Sequence, residues 1–102
     1  MDAAKSADEP AAIGELEARR RRMRYRAWHR GTREMDLVLG PFADAHLGAL
    51  DASGLDRLEL LMEEADTDLL KWLIGQEMPP PAIDLELLRR LIAFRHSMAA
   101  IR

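Results

Sequence analysis

The residues best equipped to bind something in this chain are its arginines. Eight of them (19, 20, 21, 22, 24, 26, 30 and 33) stand between Arg19 and Arg33 with no acid among them. Arg22, Arg26 and Arg30 are four apart and would line one side of a helix beside Tyr25 and Trp28, a basic stripe suited to phosphates or to carboxylates. From Glu34 to Glu86 the balance reverses: thirteen acids face two bases, Arg57 and Lys71, for a net of −11. That charge repels a second contact with a polyanion and gives the arginines candidate partners inside their own molecule.

A second feature is the junction Arg30-Gly31-Thr32-Arg33-Glu34, followed by Asp36. Glycine just past a helix end turns the chain with positive φ and fixes the angle between two helices. Arg30 would sit at the negative end of one helix and Glu34 near the positive start of the next, each where the dipole favours its charge. Spacing alone reads this as a well-capped corner with a surface ion pair. A rigid, charged knuckle that offers an arginine fork and carboxylates to a partner is the functional alternative.

Other chemistries find little support. His29, His46 and His96 fall in three different expected helices, and none has a carboxylate or a second histidine three or four residues on, so no metal site is expected. There is no cysteine, so neither a disulfide nor a thiolate site is possible. Ser6, Ser53 and Ser97 are the only serines and have tail or cap explanations. No catalytic residue is assigned.

The elements that must position these side chains follow from composition and periodicity. Leucine occurs 16 times, whereas the β-branched residues valine, isoleucine and threonine together number 8, which points to an all-α fold. A chain of 102 residues allows one small domain. The organisation expected is a disordered tail over residues 1–13, a helical domain over 14–98 and a frayed end over 99–102. The N-terminus carries acids where a secretion signal would carry lysines, and no apolar run approaches the roughly 18 residues of a membrane span. The expectation is a cytoplasmic protein without membrane insertion.

Five helices are expected, packed as a compact bundle. The first runs from about Glu15 to Arg30, with Glu15–Arg19 and Glu17–Arg21 as supporting pairs and Gly31 past its end. Thr32 caps the second, whose Met35, Val38, Leu39 and Phe42 share a face up to about Leu47, with a kink or restart at Gly40-Pro41. Ser53 and Asp56 would open the third, carrying Leu55, Leu58, Leu61, Met62 and Ala65. Asp66 or Thr67 would cap a short fourth helix that buries Leu69, Leu70, Trp72 and Leu73 and ends at Gly75. Pro79, Pro80 and Pro81 make a stiff extended link, and Asp84 caps a last helix with Leu88, Leu91, Ile92 and Arg95 on one side and Leu87, Phe94 and Met98 beside it.

The stretch Tyr25-Arg26-Ala27-Trp28-His29-Arg30-Gly31-Thr32-Arg33-Glu34-Met35-Asp36 contains Arg-Gly-x-x-Glu followed by x-Asp. In register with it stand Pro41-Phe42 and then Leu61-Met62-Glu63-Glu64-Ala65-Asp66-Thr67-Asp68-Leu69-Leu70-Lys71-Trp72-Leu73. Together these resemble the SdhE family of succinate dehydrogenase flavinylation factors, over roughly Tyr25 to Ile92. The alanine-rich tail lies outside that span, and the triple proline within it is not part of the resemblance.

The resemblance implies a helical assembly factor, not an enzyme. It would bind the flavoprotein subunit of succinate dehydrogenase, and the related fumarate reductase, and promote covalent attachment of FAD to a histidine of that subunit. Its signature surface would map onto Arg30, Gly31 and Glu34, with Asp36 as neighbour and Arg26 on the adjoining stripe. No cofactor would be held stably by a factor of this kind, since the FAD belongs to the partner, and the chain would act as a monomer. Two other readings stay open at this stage. One is a nucleic-acid-binding or antitoxin-like module using the Arg19 to Arg33 helix, and the other is a protein that itself binds flavin.

Overall fold

A computed structural model describes the backbone of residues 10–101, and all of its regular structure is helical. Helix α1 spans Pro10–Trp28, α2 Arg33–His46, α3 Ala52–Met62, α4 Asp66–Leu73 and α5 Leu85–Ile101, with a 3-10 turn over Leu47–Ala49. The five-helix architecture matches the expectation. Of the tail expected over residues 1–13, the first nine residues lie outside the described residues. The chain is already helical at Pro10, where the missing N–H of proline is harmless in a first turn.

Periodicity identified most of the core, although Ala65 lies past the end of α3 and is exposed and Leu70 is only half-buried. Met35, Val38, Leu39 and Phe42 of α2, Leu55, Leu58, Leu61 and Met62 of α3, and Leu69, Trp72 and Leu73 of α4 are buried together with Leu87, Leu88 and Leu91 of α5. Helix α1 is the exception, because between Gly14 and Trp28 it buries only Met23 and Ala27. It packs most extensively against α2. Half-buried Leu16 adds to this apolar contact, and polar contacts supplement it.

Local signals set the helix ends, with some changes from expectation. Thr32 has extended backbone and its Oγ1 accepts from Met35 N–H at 3.4 Å, the expected cap. Asp84 caps α5 through Leu87 N–H at 3.1 Å, and Ile83 N–H donates to Pro80 O at 3.1 Å, so the proline link ends in a turn. Helix α3 is opened by Asp51, which accepts from Gly54 N–H at 2.8 Å, rather than by Ser53. Helix α4 begins at Asp66 after Ala65, with no side-chain cap. Gly75 at φ 76° closes it, with Gln76 N–H returning to Lys71 O at 2.8 Å.

No restart occurs at Gly40-Pro41, and α2 runs unbroken through both residues. Proline removes one backbone bond, yet the helix is pinned by its buried face. Gly40 serves another purpose. The indole of Trp28 lies against its backbone so closely that a Cβ there would meet Cδ2 at 2.3 Å and Cε2 at 2.5 Å. Trp28 Nε1–H in turn donates to the Asp44 carboxylate at 3.3 Å. The absent side chain makes room for α1 to close on α2.

Candidate functional site

The corner between α1 and α2 is built by a competition for backbone donors. His29 N–H reaches back to Arg26 O at 3.3 Å, but Arg30 N–H leaves the helix ladder and donates to Asp36 Oδ1 at 2.6 Å. Asp36, in the first turn of α2, thus draws α1 to its end two residues before the expected Arg30. Gly31 follows at φ 106°, the positive value expected of it. A Cβ on Gly31 would meet nothing within 4 Å, so within this molecule glycine is required by the backbone angle and not by space.

Arg30 points inward, contrary to its expected place on an outward stripe. Its Nε donates to Asp66 Oδ1 at 2.8 Å, Nη2 to Glu64 O at 2.8 Å and Nη1 to Met62 O. The side chains of Arg30 and Asp66 are 11% and 15% exposed. The fork therefore spans the end of α3 and the start of α4, satisfying two carbonyls that the end of a helix leaves without partners. Thr32 Oγ1–H donates to the other Asp66 oxygen at 3.2 Å, which explains why Asp66 does not cap α4. The expected partner of Arg30, Glu34, is exposed and takes no part in this brace.

The surface left for a partner consists of the exposed Gly31, Thr32, Arg33 and Glu34, with Leu37 48% exposed one turn beyond Arg33. A shallow hollow lined by Trp28, Gly31, Thr32, Arg33, Asp36 and Leu37 lies beside the turn. Of the five residues expected to bind a partner, Gly31 and Glu34 are on this surface, while Arg30 and Asp36 hold its shape from below. Arg26 lies elsewhere, its Nη1 donating to Glu59 Oε2 of α3 at 2.9 Å. Sequence reasoning overlooked Leu37 and the bracing role of Asp66. For Asp66 a signal existed, since it is the first aspartate of the Asp-x-Asp-Leu-x-x-Trp-Leu segment.

Most of the arginine run is engaged internally. Arg19 Nη2–H donates to Asp56 and Glu59, each at 2.7 Å. Arg20 reaches the carbonyls of Leu47 at 3.0 Å and Leu50 at 2.7 Å as well as Glu17 at 2.9 Å, and Arg24 pairs with Asp44 at 3.2 Å. The contacts to α3 replace the expected pair Glu15–Arg19, and the local pair Glu17–Arg20 replaces Glu17–Arg21. The two arginines beside Glu59 hold its carboxyl below the usual range, with the hydrogen bond from Arg19 the largest cause. This pattern is that of helices strapped together by charge, and it leaves little of the run for a phosphate backbone.

Among the described residues there is no cluster of three or more side chains suited to a metal ion, and no helix is long and apolar enough to cross a membrane. Tyr25 and His29 stack with ring centroids 4.0 Å apart, and His46 forms a triangle of rings with Phe42 and Phe94, at 4.5 and 5.6 Å from them. Among the described residues no histidine side chain pairs with a carboxylate.

Comparison with known proteins places this geometry in context. The family described as flavinator of succinate dehydrogenase matches residues 21–95, which takes in the whole corner and its brace. The chain is 39% identical over 77 residues to the FAD assembly factor SdhE of Acetobacter pasteurianus, covering 76% of this chain and 71% of that protein. It is 32% identical over 77 residues to the mitochondrial succinate dehydrogenase assembly factor 2 of Dictyostelium discoideum, covering 76% of this chain and 55% of that one. The corresponding protein of Arabidopsis thaliana is 39% identical over 62 residues, 61% of this chain and 33% of its own length. No solved structure matches.

Proposed function

The chain belongs to the family of flavinators of succinate dehydrogenase, and from that premise we propose that it binds the flavoprotein subunit of the enzyme through the Gly31 corner and promotes covalent attachment of FAD to it. The observation that carries this reading is the division of labour at the corner. The most polar groups, Arg30 and Asp66, are used to fix the turn, while Gly31 and Glu34 are left bare on a rigid edge. A turn with no side chain lets a partner backbone approach closely, and Glu34 beside it accepts from partner donors.

The chain supplies no acid or base in this proposal. It holds the immature flavoprotein so that the histidine of that subunit lies against its own FAD, and the gain is proximity and orientation. The FAD is the cargo of the partner, not a cofactor of this chain. Fumarate reductase, whose flavoprotein is related, is a second client on the same reasoning. The site of action proposed is the cytoplasm, and the working form a monomer.

The test is the covalent flavin content of the succinate dehydrogenase flavoprotein, read by in-gel fluorescence in host cells with and without the gene. Loss of fluorescence that is restored by the wild type but not by Gly31→Arg supports both the role and the surface. The variant should keep its helix content by circular dichroism, since the strain of a side chain at φ 106° falls on the turn between α1 and α2 and the added Cβ meets no atom within 4 Å. Undiminished flavinylation without the gene would overturn the proposal.

A further inference from the structure

The outward face of α1 is a second surface, separate from the corner. Arg21, Arg22 and Tyr25 are exposed there, on the opposite side of the helix from Met23 and Ala27. Among the described residues Arg21 and Arg22 form no ion pair, whereas Arg19, Arg20, Arg24 and Arg26 of the same helix all do. Tyr25 is 65% exposed, yet its ring is fixed by stacking on His29, which is itself held by Nδ1–H donating to Tyr25 O at 2.7 Å. A shallow hollow lined by Arg21, Arg22, Tyr25 and Arg26 joins these groups.

The adjacent flank of α1 shows what such a face accepts. There Arg19 and Arg26 grip Asp56 and Glu59, two carboxylates three residues apart on α3, at 2.7 to 2.9 Å. A single guanidinium, Arg19, bridges both carboxylates there, and Arg22, one turn further along α1, is exposed with no acid paired to it among the described residues. We propose that this face is an interaction surface for an acidic helix of a protein partner, one that presents carboxylates a turn apart as α3 does. A stacked tyrosine flanked by exposed guanidinium groups has the composition of a protein-binding hot spot. The strongly acidic segment from Glu34 to Glu86 disfavours a nucleic acid, and a lone tyrosine gives a lipid surface no apolar face to bury.

The experiment uses the full chain and a labelled alanine-rich helical peptide carrying Asp and Glu three residues apart, followed by fluorescence anisotropy. A peptide of the same composition with its acids on opposite faces, a single-stranded RNA oligonucleotide and phosphatidylserine vesicles serve as competitors. The first peptide should bind more tightly than any of these and weaken as salt is raised. Arg21→Glu combined with Arg22→Glu should weaken it at least about tenfold with unchanged thermal melting, and the corresponding pair of glutamine substitutions should have a smaller effect in the same direction. Equal affinity for both peptides, tighter binding of RNA or vesicles, or indifference to both double variants would overturn the proposal.

Discussion

Replacing Arg30 by alanine separates a bracing role from a partner-contacting one. The substitution removes one charge-assisted bond to Asp66 and two to the carbonyls of Met62 and Glu64. Bonds to charged groups contribute about 1.5 to 3 kcal/mol each when fully sheltered. At 11% and 15% exposure water can re-enter part of the site, and the three bonds are not independent, so the loss lies nearer the low end of the roughly 3 to 5 kcal/mol for breaking a buried pair. About 3 kcal/mol is expected. For a domain of this size that lowers the melting midpoint by about 12 to 24 °C. Urea and thermal unfolding followed by far-ultraviolet circular dichroism measure it. A cycle with Asp66→Asn should give a coupling of about 1 to 3 kcal/mol, and Arg30→Lys, which keeps charge but loses the fork, should fall between wild type and alanine. Arg30→Ala melting within about 0.5 kcal/mol of wild type while losing client binding would refute the brace and place the guanidinium on the partner.

Three further outcomes follow from the packing and the ion pairs. Gly40→Ala gains about 1 kcal/mol of helix propensity but drives a Cβ into the Trp28 indole, and a net loss of about 1 to 2 kcal/mol is expected in urea unfolding; full stability would contradict the contact. Trp72→Ala, at a site 6% exposed, should cost about 3 to 5 kcal/mol; unchanged melting with lost client binding would move Trp72 to the interface. Asp84 is held below the usual carboxyl range chiefly by the Arg57 guanidinium, whose bonds to it are 2.5 and 2.9 Å, against the opposing effect of burial. Its folded pKa therefore lies below its unfolded one. The contribution is complete above the unfolded value and disappears as pH falls through the folded one. Asp84→Asn should thus lower stability at neutral pH and flatten its decline on acidification, and parallel acid limbs for variant and wild type would exclude the linkage.

What the chain disclosed in advance was largely what neighbouring residues decide among themselves. Thr32 and Asp84 cap because the donor lies three residues on, and Gly31 and Gly75 take positive φ because helix ends need it. The buried faces followed from the helical period. Pairings across the fold were hidden. Asp66 has the sequence context of a cap, and only the approach of the corner to α4, 36 positions away, turns it toward Arg30. In the same way Asp56 and Glu59 draw Arg19 away from its neighbour Glu15 because α3 lies alongside α1. Gly40 was read as a weakness in α2, since no local rule announces that an indole will lie against it.

The contact between Trp28 and Gly40 also constrains how this chain can change over time. An indole at position 28 strains any Cβ at position 40, so a larger residue at 40 is best accommodated once position 28 has shrunk. The reverse order passes through a clashing intermediate. Relatives should therefore carry the two positions as a matched set, a bulky ring with glycine or a small side chain with a bulkier one. A lineage that exchanges one set for the other passes through either a strained contact or a cavity between the first two helices.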